Sequence, residues 1–600
     1  MSEQLPLWDL EPLFPSTDKT AYQKARRDLK DRIQELKQYI ETRSGTAEAP
    51  GPWLTGALDR LNRLGDLYEE LTSYLYCRFS TDTRDTVIVK ELNSLEQDAV
   101  DLKTAQTRFR EVLGTLEEEK PLLPRIPELG KYHHFLEEEL FFYRHQMSLA
   151  EENLAADLGR SGAEAWSRLQ ESLSSTVSCL WDENSGEKKT VIQLRALAFH
   201  ADPEVRRRAF EKELELWKQS EKALAAALNG IKGTSLTLSA RRNYSEPLEA
   251  SLKAARISRR TLDALIGVMT DNLPVFRRYL KAKARYMGKE KLAFYDLFAP
   301  LASESTGASG DTWSFEKARE FIILQFSRFS KDMGDFAEKA FRQNWIDAPP
   351  REGKIGGAYC TSFPLAGESR VLCNFDGSFD ALTTVAHELG HAYHHEVLKD
   401  EPSLARQYPM TLAETASIFA ETVVFNQAYQ EAPAEERLPI LETYLSGATQ
   451  VIVDILSRFQ FESGVFEKRK EGELGSEEFC SLMTDAQKAT YGDALDPEAL
   501  HPYMWAVKGH YYIPSLDFYN FPYAFGQLFG TALYGLYQER GASFAEDYRT
   551  ILSLTGLAEA EEVTARAGFD ITGKEFWQSG VDTLARWVGE YEKLTDGNRK

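Results

Sequence analysis

The chain has 600 residues, of which 42% are hydrophobic and 27% charged, with 38 glycines, 23 prolines and 12% aromatics. That composition excludes disorder and collagen-like repetition. With 71 basic residues against 93 acidic ones the net charge is −22, a field that repels phosphate backbones and argues against nucleic acid as a main partner. The length allows several domains, or one large helical body with lobes.

Most of the chain reads as helix. Tyr22, Leu29, Ile33, Leu36 and Ile40 recur on one helical face. After a break at 44–52, Leu58, Leu61, Leu64, Tyr68, Leu71 and Leu75 do the same. A third long helix is predicted over 84–120, ending in the solvated run EEEK, and further helices over 132–155 and 162–179. The stretch ENSGEKKT (183–190) predicts a turn between two short strands. Helical pattern resumes from 193 to 345, with a polar loop at 302–312. Prolines 349 and 350 end it, and Ala358–Phe363 and Arg370–Phe375, joined by PLAGES, predict a hairpin.

Directly after that hairpin stands ALTTVAHELGHAYHHE (381–396). His387 and His391 are four apart, which on a helix means about 40° and 6 Å. Two imidazoles so placed can converge on one Zn²⁺, with Glu388 beside the ion and able to take a proton from its water. Ten histidines in 600 residues would produce this pattern by chance only roughly 0.02 times per chain. Ser378 is the expected N-cap. His394 and His395 are expected to pack or to make supporting hydrogen bonds, because only His387 and His391 bracket a suitably placed Glu.

A catalytic zinc needs a third protein ligand. The next helix, TLAETASIFAETVVF, carries Glu414 and Glu421 on one face of an otherwise apolar surface. Glu414 is either that ligand or the partner of Thr411 in a capping box; the two readings are balanced. Glu421 is either a carboxylate that orients a ligand histidine or half of a buried ion pair.

HELGH followed by AETAS, together with GGAYC (356–360), NFDGSFDALTTVAHELGHAYH (374–394) and FYNFPYAFG (518–526) after His510, resembles the M3 family of zinc metallopeptidases, the oligoendopeptidase F branch most closely. RLQESLSSTVSCLW (168–181) is similar to that branch's N-terminal region, whereas the first 110 residues match no motif. The resemblance implies a mainly α fold: a large two-lobed helical body with a deep substrate channel and a small β-hairpin or sheet beside the zinc site. It implies an N-terminal helical region (1–112), an oligoendopeptidase F-type N-terminal domain (113–199) and a catalytic domain (200–600). It also implies one Zn²⁺ per chain on His387, His391 and Glu414, and an endopeptidase that hydrolyses short unstructured oligopeptides with Glu388 as general base. His510, Tyr519 and Tyr523 are implied as oxyanion donors, on a loop that Gly509, Pro514, Pro522 and Gly526 would let close over substrate. These three matches are looser, because family members differ in the spacing from the motif to the aromatic stretch. Either hairpin strand could pair with an extended peptide. The family's alternatives, a zinc exopeptidase or a peptide-binding scaffold, would need a terminus-recognition motif or a fourth ligand, and neither is evident.

The five cysteines (77, 179, 360, 373 and 480) include no CxxC, which suits a reducing compartment. No basic n-region precedes an apolar stretch at the N-terminus, and no apolar run reaches about 18 residues. A cytoplasmic protein without membrane partners is expected, and the oligomeric state is left open.

Overall fold

The computed structural model describes residues 5–43, 50–119, 127–301 and 313–597. The helical reading holds for most of the described residues. The described residues form two compact units, each assembled from separated stretches: those up to 145, 313–428 and 533–569 in the first, and 146–301, 429–532 and 570–597 in the second.

The first unit begins with three long helices, Thr20–Arg43, Pro50–Thr81 and Thr86–Glu119. Their stripes are the ones the sequence pattern selects: Tyr22, Leu29, Ile33, Leu36, Ile40, Leu58, Leu61, Leu64, Leu71 and Leu75 are all buried in one core, with Tyr68 packed half-buried against it. Each fully buried aliphatic side chain contributes about 1.5–3 kcal/mol. Phe363 and Leu404 belong to the same core, so the bundle supports the hairpin.

Two ribbons of strand follow. In the second unit β1 (Ser178–Asp182) pairs antiparallel with β2 (Glu187–Thr190). In the first unit β3 (Ile346–Asp347), β4 (Tyr359–Phe363) and β5 (Glu368–Leu372) form a sheet in the order β3-β5-β4. The hairpin prediction is correct, but β5 starts two residues early. Gly367 adopts φ 66° and closes the turn in four residues, so Glu368 and Ser369 already face Phe363 and Ser362. Cys373 and Phe375 leave the ladder with β4 and instead donate to the Asp347 and Ala348 carbonyls. Because β5 lies between two partners, β4 alone of the two hairpin strands is a sheet edge. Side chains of the second helix fasten it: Ser73 bonds Thr361 (2.7 Å), Ser80 bonds Tyr359 (2.7 Å), Ser362 donates to Glu69, and Glu70 accepts from the Leu365 amide (3.0 Å).

Several predicted helices are shorter than expected, for local reasons. The 132–155 segment divides into His133–Arg144 and Leu149–Ser161, because Ser148 and Glu151 form a capping box. The 162–179 helix ends at Thr176, and Cys179 enters β1. The long 193–345 region is cut where Asp202, Ser258, Ser314 and Ser330 cap new helices. The expected loop at 302–312, residues 44–49 of the first break and Lys120 of the charge run lie outside the described residues. Among the described residues no helix is long and apolar enough to cross a membrane.

Candidate metal centre

Ser378 caps the helix Phe379–Leu398, its Oγ accepting from the Ala381 amide at 3.1 Å. One turn apart on that helix, His387 and His391 stand with ring centroids 5.1 Å apart and planes nearly perpendicular. The helix Met410–Glu431 delivers Glu414. Its Oε2 lies 3.2 Å from His387 Nε2 and 3.7 Å from His391 Nε2, and accepts a bond from Ser417 Oγ at 2.7 Å. The Glu414 side chain thus lies on the histidine side. Thr411 is already inside the helix, and the Glu414 carboxylate turns to the histidines.

The close approach of the two helices depends on the glycine within HELGH. A Cβ at Gly390 would sit 2.6 Å from the Ala416 carbonyl oxygen and 2.7 Å from Ser417 Cα, closer than real carbon contacts allow. Glycine in mid-helix costs about 1 kcal/mol relative to alanine, and here that cost lets the Glu414 backbone come within reach. The sequence signal was present, a glycine inside an apolar helix, but spacing alone did not reveal its partner.

Around these groups the electrostatics are strongly coupled. Glu421 Oε2 lies 3.0 Å from His387 Nδ1, leaving Nε2 for the Glu414 side. Burial alone would lower the His387 imidazole, but its hydrogen bonds and charge attraction to Glu414 and Glu421 outweigh burial and hold it well above its ordinary value. His391 falls to about 4 through burial and the charge of His387. Glu414 falls to about 2, because the His387 bond and both imidazole charges overcome its burial. Glu388 is buried, and burial pushes its carboxyl up to about 7, with Glu414 and Glu421 adding and His387 opposing.

The donor set fits a divalent cation. One ligand atom from each of His387, His391 and Glu414 lies within 4.8 Å of the others. Bonds of about 2.0–2.1 Å in a tetrahedron set donors about 3.3 Å apart, close to the separations found. His394 and His395 stand apart, as expected. His394 stacks on Tyr408 (4.1 Å between centroids) and bonds Thr555 at 2.8 Å, and His395 bonds Ser369 at 3.2 Å.

A second cluster belongs to the other unit. His510 lies in the short turn Gly509–Tyr512, with ring centroids 5.1 Å from Tyr519 and 6.1 Å from Tyr523; the two tyrosines are 5.5 Å apart. Burial, then the Arg458 and Lys508 charges, lower the His510 imidazole below its ordinary value, which favours its neutral form. The expectation of one closing loop is corrected here. Pro522, Tyr523 and Gly526 lie within the helix Phe521–Arg540, because proline in a first helical turn lacks only an amide that has no intrahelical partner.

The model of peptidase family M3 matches residues 196–583. The chain belongs to that family. A second model, described as oligopeptidase F, matches residues 120–178. Oligopeptidase PepF of Bacillus subtilis is 24% identical over 599 residues, covering 98% of this chain and 87% of its own. An oligoendopeptidase F homolog of Borreliella burgdorferi is 23% identical, with 98% of each covered. Among solved structures, a candidate peptidase from Chlamydophila abortus superposes with a TM-score of 0.82 at 21% identity, covering 99% of each chain. Oligoendopeptidase-F from Enterococcus faecium gives 0.69 at 20%, covering 95% and 99%. The protein is a metalloendopeptidase, and its mainly helical fold is the one these structures share.

Proposed function

We propose that this metallopeptidase hydrolyses internal bonds of short, unstructured oligopeptides using one zinc ion per chain. In this reading His387, His391 and Glu414 hold the ion, Glu388 is the general base, and His510, Tyr519 and Tyr523 serve the substrate carbonyl. One observation carries it: two histidines and a carboxylate from facing helices converge, with Glu388 buried beside them.

A bound divalent cation would supply Lewis acidity to a peptide carbonyl and to a water molecule. Every other part is played by this chain. Glu421 accepts the Nδ1–H of His387 and fixes its tautomer. Glu388 removes a proton from the attacking water as the new C–O bond forms. It passes that proton to the amide nitrogen as the C–N bond breaks, so the carboxylate is restored. A tyrosine hydroxyl or the neutral His510 donates to the carbonyl oxygen as charge grows on it, without placing a permanent charge there. The edge strand β4 offers main-chain pairing, which binds extended peptides with loose side-chain preference.

The segments 1–112, 113–199 and 200–600 remain our division of the chain into an N-terminal helical region, an oligoendopeptidase F-type domain and a catalytic domain. Oligopeptide substrates in the cytoplasm, without nucleic-acid or membrane partners, complete the reading. Glu388→Gln tests the base: zinc content stays at one per chain, while cleavage of an internally quenched peptide falls by about 1,000-fold or more. Wild-type cleavage by that variant would refute the assignment.

A further inference from the structure

We propose that Lys232, Glu462 and Asp517 form a buried ionic clamp that positions the segment carrying Tyr519 and Tyr523, with Asp517 a positioning residue of the peptidase reaction. The proposal rests on the reading of those tyrosines as substrate donors.

Lys232 is 1% exposed and its Nζ lies 2.7 Å from Glu462 Oε1 and 2.8 Å from Asp517 Oδ1; Glu462 is 2% exposed. One lysine and one glutamate would already balance. Bringing in a second carboxylate, the Asp517 side chain at 12% exposure, is costly and adds little to stability, so its presence calls for another reason. What Asp517 adds is attachment. Ser235 Oγ donates to its Oδ2, and Ser251 Oγ donates to its backbone carbonyl at 2.8 Å. Three residues on, Asn520 Nδ2 donates to Glu462 Oε2 at 2.8 Å. Both ends of the 517–520 segment are therefore tied to the same lysine–glutamate pair.

Between these ties, Phe518 adopts φ 55°, in the left-handed region. A bulky side chain persists there only where its surroundings over-determine the backbone. Its ring packs at 5.6 Å from Phe459 and 5.3 Å from Phe466. Tyr519 is carried between the two anchors, and the Tyr523 amide donates to the Asn520 carbonyl at 3.2 Å. Burial alone would discharge Lys232, but Asp517 and Glu462 hold its pKa above the usual lysine value, while burial raises the Glu462 carboxyl and Lys232 opposes that rise. Catalytic groups must be held within fractions of an ångström, and this network supplies that restraint in part from Lys232, 285 positions from Asp517 in sequence.

Asp517→Asn tests the clamp. It leaves the neutral Lys232–Glu462 pair and an acceptor of the same shape. On an internally quenched peptide, kcat falls about 10- to 100-fold while KM, zinc content and melting temperature hold. In a Tyr519→Phe/Tyr523→Phe chain the same substitution costs less than about 2-fold, because it acts through hydroxyls already gone. Full turnover of Asp517→Asn beside an impaired tyrosine variant overturns the clamp alone, as does an equal loss in both backgrounds. Full turnover of the double tyrosine variant itself overturns the reading of the tyrosines, and the clamp with it. If Asp517→Asn does not fold, Ser251→Ala is judged on the same criteria, with a fall of about 3-fold expected in the wild-type chain and none in the tyrosine variant.

Discussion

The metal cluster and the aromatic cluster are assembled on opposite principles. His387, Glu388 and His391 stand on one helix, and a single facing helix brings Glu414 and Glu421. In the proposed reading ionic groups form the working surface there, and the backbones pack closely at Gly390. The aromatic cluster is the reverse. In the proposed reading its working surface is aromatic rings, and its ions are the fasteners Lys232, Glu462 and Asp517. A site that must hold a cation needs charge at the front. A site that serves a developing oxyanion in this reading presents neutral donors and hides its charges as fasteners.

Substitutions can break this comparison, beginning with the largest effect. Chelation of the metal should abolish peptide cleavage, and zinc should restore it, while the aromatic cluster, which has no ionic surface to lose, keeps its near-ultraviolet circular dichroism. Loss of that signal on chelation would show that the two clusters are not built independently. Tyr523→Phe removes one hydroxyl and should cost on the order of 100-fold in kcat with metal content unchanged; a full rate would remove Tyr523 from the reaction. Gly390→Ala places a methyl against the Ala416 carbonyl, so the Glu414 helix must move. A stability loss of about 1–3 kcal/mol together with weaker zinc binding, read by denaturation and by metal titration, is expected.

The smallest effect separates the units by pH. Glu70, beside the hairpin of the first unit, is raised to about 7, chiefly by burial. Its contribution to stability is complete below its unfolded value near 4.5 and is lost as pH rises through about 7. Glu213, in the second unit, is lowered to about 2: burial opposes ionisation, but Arg195 and His501 outweigh it. Its contribution is complete above about 4.5 and is lost as pH falls towards 2. Glu70→Gln should therefore gain about 1–3 kcal/mol over the wild type at pH 8 and almost nothing at pH 4. Equal melting temperatures at both pH values would contradict the shift.

The same contrast explains what was legible in the sequence. Residues that act through spacing of three or four along a helix, such as His387 and His391 or the Leu29–Ile40 stripe, can be read directly, because the period is local. Ser378 and the hairpin carried equally local signals. Glu414 could not be separated from a capping role by pattern, since the decision lies in the packing of Gly390 against Ala416. Pro522 misled for a related reason: proline ends helices in their interiors but suits their first turn. The Lys232–Glu462–Asp517 network was illegible, because lysine, glutamate and aspartate on helices and loops ordinarily face water, and only the fold brings these three together.

The central claim is that His387, His391 and Glu414 share one ion, and zinc content per chain tests it most directly. After exhaustive dialysis, elemental analysis of wild type and Glu414→Ala side by side should give one zinc per chain in the former and nearly none in the latter. A Glu414→Ala protein that keeps a full equivalent of zinc would contradict the account.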